Sequence, residues 1–291
     1  MPAKKYPLRS VRVFLRAFSW LPLGLARSLG WGLAGLAWVL RTRARRTTWQ
    51  NLTHCYPDLS QVARRELALR SLYHTAATIF EMPAVWSASH GRLHKWIKRV
   101  EGEDLLKKSL ATGSTLFLLP HFGNWEFLTT YLHPITTYTC LYSPRRLYEL
   151  ENLINERRSR FGGDFLPLTP AGLRKLLRRI HEGAVIIVLP DQVPNEGRST
   201  LSEFRGRPLR TGTLPHELLK RGQLTALTMV AKRCRGGFSI HIQEVADEIY
   251  AEDAVTSVKA LDRAIEDVVS LDSAQYQWEY KRFRGVADIY Q

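Results

Sequence analysis

The sequence predicts an α/β protein in which one largely parallel central sheet is covered by helices. The chain has 291 residues, 45% of them apolar, which is enough to bury a large core. Short apolar runs alternate with stretches of helical periodicity, as in a parallel sheet with helices on both faces. Two runs, LFLLP at 116–120 and IIVLP at 186–190, are apolar on both faces and are predicted to be central strands.

Five strands and six helices are expected to follow an N-terminal helical extension. The strands are predicted at 114–120, 136–142, 184–190, 224–231 and 237–245. The helices are predicted at 58–82, 124–133, 146–161, 170–182, 212–222 and 253–270. No internal repeat or low-complexity linker divides this part of the chain, so we expect residues 51–291 to form a single domain.

The extension, residues 1–50, carries two thirds of the net positive charge. The net charge is +15, from 42 basic and 27 acidic residues. No acidic residue precedes Asp58, whereas ten Lys and Arg residues do, so the remaining 32 basic and 27 acidic residues leave +5. A basic arm of this kind suits either nucleic acid or an anionic membrane surface.

An apolar segment at 17–40 favours the membrane. Its 24 residues are long enough to cross a bilayer, but Arg27 near its middle costs about 2.5–3.5 kcal/mol on insertion, and Pro22 interrupts a helix. We therefore expect a helix or bent hairpin in the membrane interface, with its basic flanks on anionic headgroups. The alternative is an apolar helix buried in the core of the domain.

Glycines in this segment imitate a dinucleotide-binding fingerprint. Gly30, Gly32 and Gly35 spell G-x-G-x-x-G. That fingerprint needs a preceding strand and a glycine turn, whereas an apolar stretch with an Arg precedes these residues. We interpret them as small residues on a membrane-facing or tightly packed helix.

No metal or other cofactor is expected. The three cysteines, Cys55, Cys140 and Cys234, lie far apart, which offers neither a metal pair nor a disulfide framework and favours a reducing compartment. The spacing H-x4-E at His121 and Glu126 is not the H-E-x-x-H of helical zinc sites.

Polar residues follow both central strands where each strand ends. His121 follows Leu119-Pro120, and Asp191 follows Leu189-Pro190. In such sheets, sites gather beyond the carboxyl ends of the strands. Glu126 falls in the first turn of the next helix, and we expect its carboxylate to hold one nitrogen of His121 while the other accepts a proton. With no G-x-S-x-G nucleophile, the activated hydroxyl would belong to a substrate.

Each of these residues also has a plainer explanation. His121 and Glu126 could be a hydrogen-bonded histidine beside a helix-capping glutamate. The basic residues at 157–160 could form a solvated helix face, and Asp191 could be a turn residue after its strand.

Several segments together resemble the late acyltransferases of lipid A biosynthesis, the lauroyl/myristoyl transferase family. His121–Glu126 (HFGNWE) looks like the H-x4-D/E motif of glycerolipid acyltransferases, and the resemblance extends in order over about 50–291. The other similar segments are NLTHCYPDLS at 51–60, YSP at 142–144, RSRFG at 158–162, PDQVPNEGRSTLSEFRGRPLRTGT at 190–213 and QYQWEYKRFR at 275–284. Phe204-Arg205-Gly206 departs from the family's F-F-G box by placing a charge where an aromatic is usual.

The resemblance implies transfer of a fatty acyl chain from acyl-carrier-protein or acyl-CoA to a hydroxyl of a glycolipid or phospholipid acceptor, a lipid A precursor first of all. His121 would be the general base and Glu126 would orient it. Arg158, or backbone amides near Gly123 and Asn124, would stabilise the tetrahedral intermediate.

The same resemblance implies further binding roles and a location. Arg158 and Arg160 would suit substrate phosphates, and Asp191 would support Arg158 or the acceptor sugar. Family members are membrane-bound through a basic, apolar N-terminal anchor, which implies the inner (cytoplasmic) membrane with the catalytic domain on the cytoplasmic face.

Two other classes of protein are considered. A nucleic-acid-binding protein would spread basic and aromatic residues over one face, whereas here the excess charge lies beside an apolar segment, so no nucleic acid is expected. A lipid-binding protein without catalysis would tolerate loss of His121 or Glu126, and both are present. Among acyltransferases, a lysophospholipid, an ornithine lipid or another glycolipid is the alternative acceptor.

Overall fold

A computed structural model of the protein describes residues 8–142, 148–194 and 198–290. The described helices are α1 (Leu8–Ser19), α2 (Leu23–Val39), α3 (Arg43–Cys55), α4 (Gln61–Ser87), α5 (His90–His94), α6 (Glu103–Thr112), α7 (Trp125–Leu132), α8 (Tyr148–Ser159), α9 (Pro170–His181), α10 (Leu214–Leu219) and α11 (Ala254–Ser270). The described strands are β1 (Ile97–Glu101), β2 (Ser114–Leu118), β3 (Tyr138–Tyr142), β4 (Gly163–Pro167), β5 (Val185–Val188), β6 (Ser199–Phe204), β7 (Arg207–Gly212), β8 (Leu224–Cys234) and β9 (Gly237–Glu244). Residues 143–144 of the YSP segment and 195–197 of the 190–213 segment lie outside the described residues.

Seven of the described strands form one mixed sheet in the order β1-β9-β8-β2-β5-β3-β4. All neighbours pair in parallel except β8 and β9, which form an antiparallel hairpin. Strands β6 and β7 form a separate two-stranded ribbon. The α/β fold with a largely parallel sheet is confirmed, as are all five predicted strands.

The two apolar runs are the central strands because they bury side chains on both faces. Strands β2 and β5 lie next to each other in the sheet, and every residue of both is buried. Leu116 and Ile186 pack toward α9, α10 and α11. Phe117 and Ile187, one position on, pack toward α1, α2 and α7, as the two-residue period of a strand requires.

The apolar segment 17–40 breaks at Pro22 into two helices, and its interior face packs on the domain. Helix α2 buries Leu23, Ala26, Gly30 and Ala34, and a Cβ on Gly30 would lie 3.0 Å from the backbone of Ala77 in α4. The opposite face is apolar and exposed, and it includes Leu25, Leu29, Trp31, Leu33, Leu36 and Val39. The segment thus has one face buried against the domain and one exposed apolar face, and its association with a membrane stays a prediction.

The glycine fingerprint lies wholly within α2, with no strand before it in the described chain. Gly30 is tightly packed, while Gly32 and Gly35 have no atom within 4 Å of an added Cβ. Arg27 is turned into the protein, where it pairs with Glu81. The division at residues 50 and 51 remains a prediction, and it falls inside α3.

Among the described residues, no single helix is both long and apolar enough to cross a membrane. The bent pair α2 and α3, at 84° to each other, meets the requirement by length and composition.

Candidate active site

His121 and Asp191 are brought together by the matched ends of two parallel strands. Leu118 of β2 is in register with Val188 of β5. His121 lies three residues after Leu118, and Asp191 lies three residues after Val188. A proline in each connection lacks the N–H that would continue the ladder. The two polar side chains therefore leave the sheet at the same height.

The two residues form a double hydrogen bond. Nδ1 of His121 lies 2.7 Å from Oδ1 of Asp191, and the backbone N–H of His121 donates to Oδ2 at 2.8 Å. Because a carboxylate only accepts, Nδ1 carries the proton and Nε2 keeps a lone pair when the ring is neutral. The imidazole is 15% exposed, and its Nε2 lies 3.3 Å from the Gln192 side-chain amide.

Asp191 is held ionised in spite of its burial. Burial alone would raise its pKa, but the charge of His121, the hydrogen bonds from His121 and the charge of Arg282 lower the pKa below its ordinary value. The dyad therefore presents a fixed carboxylate to Nδ1, which stabilises an imidazolium formed by proton uptake at Nε2.

Glu126 has a different partner from the one expected. The sequence predicts a hydrogen bond to His121, but the carboxylate accepts two hydrogen bonds from Arg158, one of them at 2.9 Å from Nε. Trp86 Nε1 adds a third at 3.0 Å. The planar guanidinium of Arg158 bonds both oxygens of Glu126 at once, and this paired bond is stronger than a single hydrogen bond to His121. His121 is thus oriented by Asp191, and the expected orienting contact from Glu126 is wrong.

Arg158 is the partly exposed member of this ion pair. Its side chain is 25% exposed, whereas that of Glu126 is 4% exposed. Burial raises the pKa of Glu126 and Arg158 lowers it, with a net lowering. Burial likewise lowers the pKa of Arg158, but Glu126 raises it, with a net increase. The pair is therefore an ionised clamp between α7 and α8.

Arg160 lies outside this clamp. Its Nη1 donates to the carbonyl of Trp86 at 2.6 Å, and its Nη2 donates to the carbonyl of Ala88 at 3.3 Å. These bonds tie the turn after α8 to the end of α4. The predicted binding of a substrate phosphate by Arg160 stays a prediction, and the observed contacts are structural.

Gly123 and Asn124 build the turn rather than offering free amides. The Gly123 N–H donates to the carbonyl of Gln275 at 2.9 Å and the Asn124 N–H to that of Ala231 at 3.0 Å. Both amides already donate to carbonyls in this structure, and the role of backbone amides near them in binding an oxyanion stays a prediction. Gly123 has φ +57°, and a Cβ there would lie 2.0 Å from the Ala231 oxygen, so only glycine fits.

Arg282 holds the backbone of Asp191, a contact that the sequence does not predict. Its Nη1 donates to the carbonyl of Asp191, and its Nη2 lies 2.5 Å from Oδ1 of Asp262. Arg282 lies in the terminal segment QYQWEYKRFR, which the sequence marks only as one of the segments that resemble the family. Within the described residues, no group of three or more His, Cys, Asp or Glu side chains could hold a metal ion.

Known proteins are similar in sequence to this chain along nearly its full length. The family model described as bacterial lipid A biosynthesis acyltransferase matches residues 8–285. A lipid A biosynthesis acyltransferase of Haemophilus influenzae is 24% identical over 279 residues, 94% of this chain and 88% of the relative. A lipid A biosynthesis lauroyltransferase of Escherichia coli K12 is 20% identical over 267 residues, 91% of this chain and 87% of the relative. The chain therefore belongs to the bacterial lipid A biosynthesis acyltransferase family and is an acyltransferase.

Proposed function

We propose that the protein transfers a fatty acyl chain from an acyl-carrier-protein or acyl-CoA thioester to a hydroxyl of a lipid A precursor, with His121 as the general base. The observation that carries this proposal is the hydrogen bond of 2.7 Å between His121 Nδ1 and Asp191. It leaves Nε2 as the one proton-accepting ring atom, on an imidazole that is partly open to solvent. The names of the two relatives support the acceptor.

The reaction follows from the dyad in two proton transfers. Nε2 takes the proton of the acceptor hydroxyl as its oxygen attacks the thioester carbonyl, and a tetrahedral oxyanion forms. Collapse of that intermediate expels the thiolate and leaves the new ester. The imidazolium returns its proton to the thiolate, so His121 ends neutral and no external reagent is consumed. Asp191 stays ionised throughout and stabilises the imidazolium.

We assign the stabilisation of the oxyanion to Arg158 and the alignment of Arg158 to Glu126. Two guanidinium nitrogens hold Glu126, and one quarter of the Arg158 side chain is exposed. The charge of His121 acts on the Glu126 carboxyl group, which supports a location of the clamp near the dyad. In this scheme Glu126 contributes to catalysis through Arg158 instead of through His121.

We propose further that the enzyme works at the cytoplasmic face of the inner membrane. The outer face of α2 exposes a row of apolar side chains, and Trp20, before it, is 83% exposed. Exposed arginines flank this row at Arg9, Arg12 and Arg16 on one side and at Arg41 and Arg43 on the other. An apolar face with cationic flanks suits the headgroup region of an anionic leaflet, where a lipid acceptor is found.

The test is acyl transfer by the purified full-length protein in detergent. Acyl-carrier-protein and acyl-CoA thioesters of several chain lengths are offered with a lipid A precursor and, separately, with lysophospholipids. Wild type is compared with His121→Ala and with His94→Ala, a matched change at an exposed position of α5. We expect transfer to the lipid A precursor that falls at least about 10³-fold in His121→Ala and is unchanged in His94→Ala.

Transfer to lysophospholipids alone would contradict the proposed acceptor while keeping the chemistry. Equal rates in wild type and His121→Ala would contradict the assignment of the base.

A further inference from the structure

Glu81 is a buried carboxylate that joins three parts of the chain. It lies in α4 with 0% of its side chain exposed. Its Oε1 accepts from Arg27 Nε at 2.8 Å. Its Oε2 accepts from Arg233 Nε at 2.9 Å and from Asn124 Nδ2 at 2.9 Å. One carboxylate therefore connects α2, β8 and the turn that follows His121.

The contact with Asn124 decides which way that amide points. Asn124 Oδ1 accepts the N–H of Phe127 at 3.2 Å and so caps α7. An amide turned by 180° would set its NH2 group against that N–H and lose the cap. Because Glu81 offers only acceptors, it selects the orientation in which nitrogen faces the carboxylate and oxygen faces the helix. The cap fixes the start of α7, which carries Glu126 on its first turn.

Arg27 extends this support to the N-terminal helices. Besides Glu81, its guanidinium donates to the carbonyl of Cys234 at 2.7 Å and to that of Gly237 at 2.9 Å. It is the arginine that interrupts the apolar segment, and it is 14% exposed. A side chain needed only to hold α2 on the domain could be apolar, as its neighbours Leu23 and Ala26 are.

A second arginine holds the same segment without touching Glu81. Arg92 in α5 donates to the carbonyls of Ser19, Trp20 and Leu21 between α1 and α2, at 3.2, 3.4 and 2.8 Å. It attaches the extension to the domain but makes no bond to the His121 turn in the described structure. Substitution of Arg92 is therefore a control for loosening the extension without changing the contacts of Glu81.

We infer that Glu81 is a positioning residue for the acyl-transfer site and that Arg27 makes helix α2 part of the support of the His121–Asn124 turn. The inference rests on the proposed function, because the kcat measurement needs the acyl-transfer reaction. It goes beyond the proposed function by giving the N-terminal extension a role in the geometry of the site. Loss of Arg27 frees one oxygen of Glu81, the carboxylate leans toward Arg233, and the Asn124 amide loses its fixed orientation.

The choice of variants follows from charge. Glu81→Gln leaves two buried guanidinium groups without an anion and endangers folding. Arg27→Met leaves Glu81 paired one-to-one with Arg233, so the buried charge is balanced. Asn124→Ser keeps a helix-capping oxygen but removes the bond to Glu81. Arg92→Ala loosens the extension elsewhere.

The experiment measures hydrogen exchange and turnover of the full-length variants in detergent. The amides of Gly123 and Asn124, bonded to the carbonyls of Gln275 and Ala231, report the order of the turn. In Arg27→Met and Asn124→Ser we expect these amides to exchange at least about tenfold faster than in wild type. We expect kcat to fall about tenfold or more with KM within about twofold. Arg92→Ala should exchange faster only near residues 19–21 and keep wild-type kcat.

Two results would overturn the inference. One is wild-type exchange at Gly123 and Asn124 in Arg27→Met. The other is an equal loss in Arg92→Ala, which would reduce Arg27 to a simple attachment. If wild type itself transfers no acyl group while the exchange pattern is as expected, the proposed function fails and the positioning role stands.

Discussion

Replacing Asp191 by asparagine tests the dyad directly. The change is nearly isosteric, but it places an amide where the carboxylate accepts from Nδ1 at 2.7 Å and from the backbone N–H at 2.8 Å. The single amide oxygen serves only one of these donors. If it stays on the backbone, the NH2 group faces Nδ1, and the ring protonates at Nε2 to avoid two opposed donors. The base is then blocked by its own proton.

The expected loss combines the wrong tautomer with the missing countercharge. In serine hydrolases the corresponding Asp-to-Asn change lowers kcat about 10⁴-fold. The imidazole here is 15% exposed, so water screens part of the imidazolium charge, and we expect a loss of about 10³-fold, or about 4 kcal/mol in the barrier. The fold should persist, because Arg282 binds the backbone carbonyl of Asp191, which the substitution keeps.

The assay is the rate of acyl transfer as a function of pH for wild type, Asp191→Asn and Glu126→Gln. We expect kcat to fall about 10³-fold in Asp191→Asn at every pH tested, because the proton then occupies the nitrogen that should accept. Glu126→Gln should lower kcat through Arg158 without changing the nitrogen that carries the proton. The reasoning is refuted if Asp191→Asn keeps more than a tenth of the wild-type rate.

Three further outcomes concern stability. Gly30→Leu should lower the free energy of unfolding by about 1–3 kcal/mol in chemical unfolding, because its Cβ would lie 3.0 Å from the backbone of α4. Gly32→Leu should change the free energy of unfolding by less than about 1 kcal/mol, because a Cβ at Gly32 has no atom within 4 Å. Equal effects of the two substitutions would disprove the close packing of α2. Arg282→Met should cost about 3–5 kcal/mol, since it leaves Asp262 buried without its cation, and a wild-type melting temperature would argue against that pair. The pKa of Asp191 is lowered in the fold. Its contribution to stability is therefore complete above the ordinary carboxyl pKa near 4 and is lost as pH falls through the folded value. In Asp191→Asn, the free energy of unfolding should fall less steeply with decreasing pH in this acidic range.

The sequence predicted the strands whose composition differs most from their surroundings. Strands β2 and β5 are apolar on both faces, and β3, β8 and β9 have clear runs. Strand β1 reads IKRVE, and β4 reads GDFLP. Both lie at the sheet edges, where one side of the backbone has no partner and polar residues are tolerated. An edge strand has no apolar signature to find.

The ribbon of β6 and β7 was missed for another reason. Its turn is Arg205-Gly206, with φ +51° and +67°, the left-handed pair that a two-residue hairpin requires. An arginine in this conformation is uncommon, so no Asn-Gly or Asp-Gly signal marks the turn. Glu266 accepts the Arg205 N–H at 2.7 Å and helps to hold the turn.

His121, Glu126, Arg158 and Asp191 could all be named from the sequence, but the way in which they pair could not. Local spacing favoured Glu126 over Asp191 as the partner of His121, because five residues separate the first pair and seventy the second. Strand register reverses that order, since it makes positions far apart in the chain adjacent in space. Arg158, which pairs with Glu126, is also distant in sequence, and no local pattern around either residue indicates this ion pair.

The register of β2 and β5 also governs which changes of chain length the protein can accept. His121 and Asp191 each stand three residues beyond a matched pair, Leu118 and Val188. One inserted residue in either connection would shift that side chain by about 3.3 Å and turn it to the opposite face of the sheet. Two such insertions, one in each connection, would restore the match in length. We therefore expect the protein to accept a change in the length of one connection only together with an equal change in the other, regardless of which residues are added.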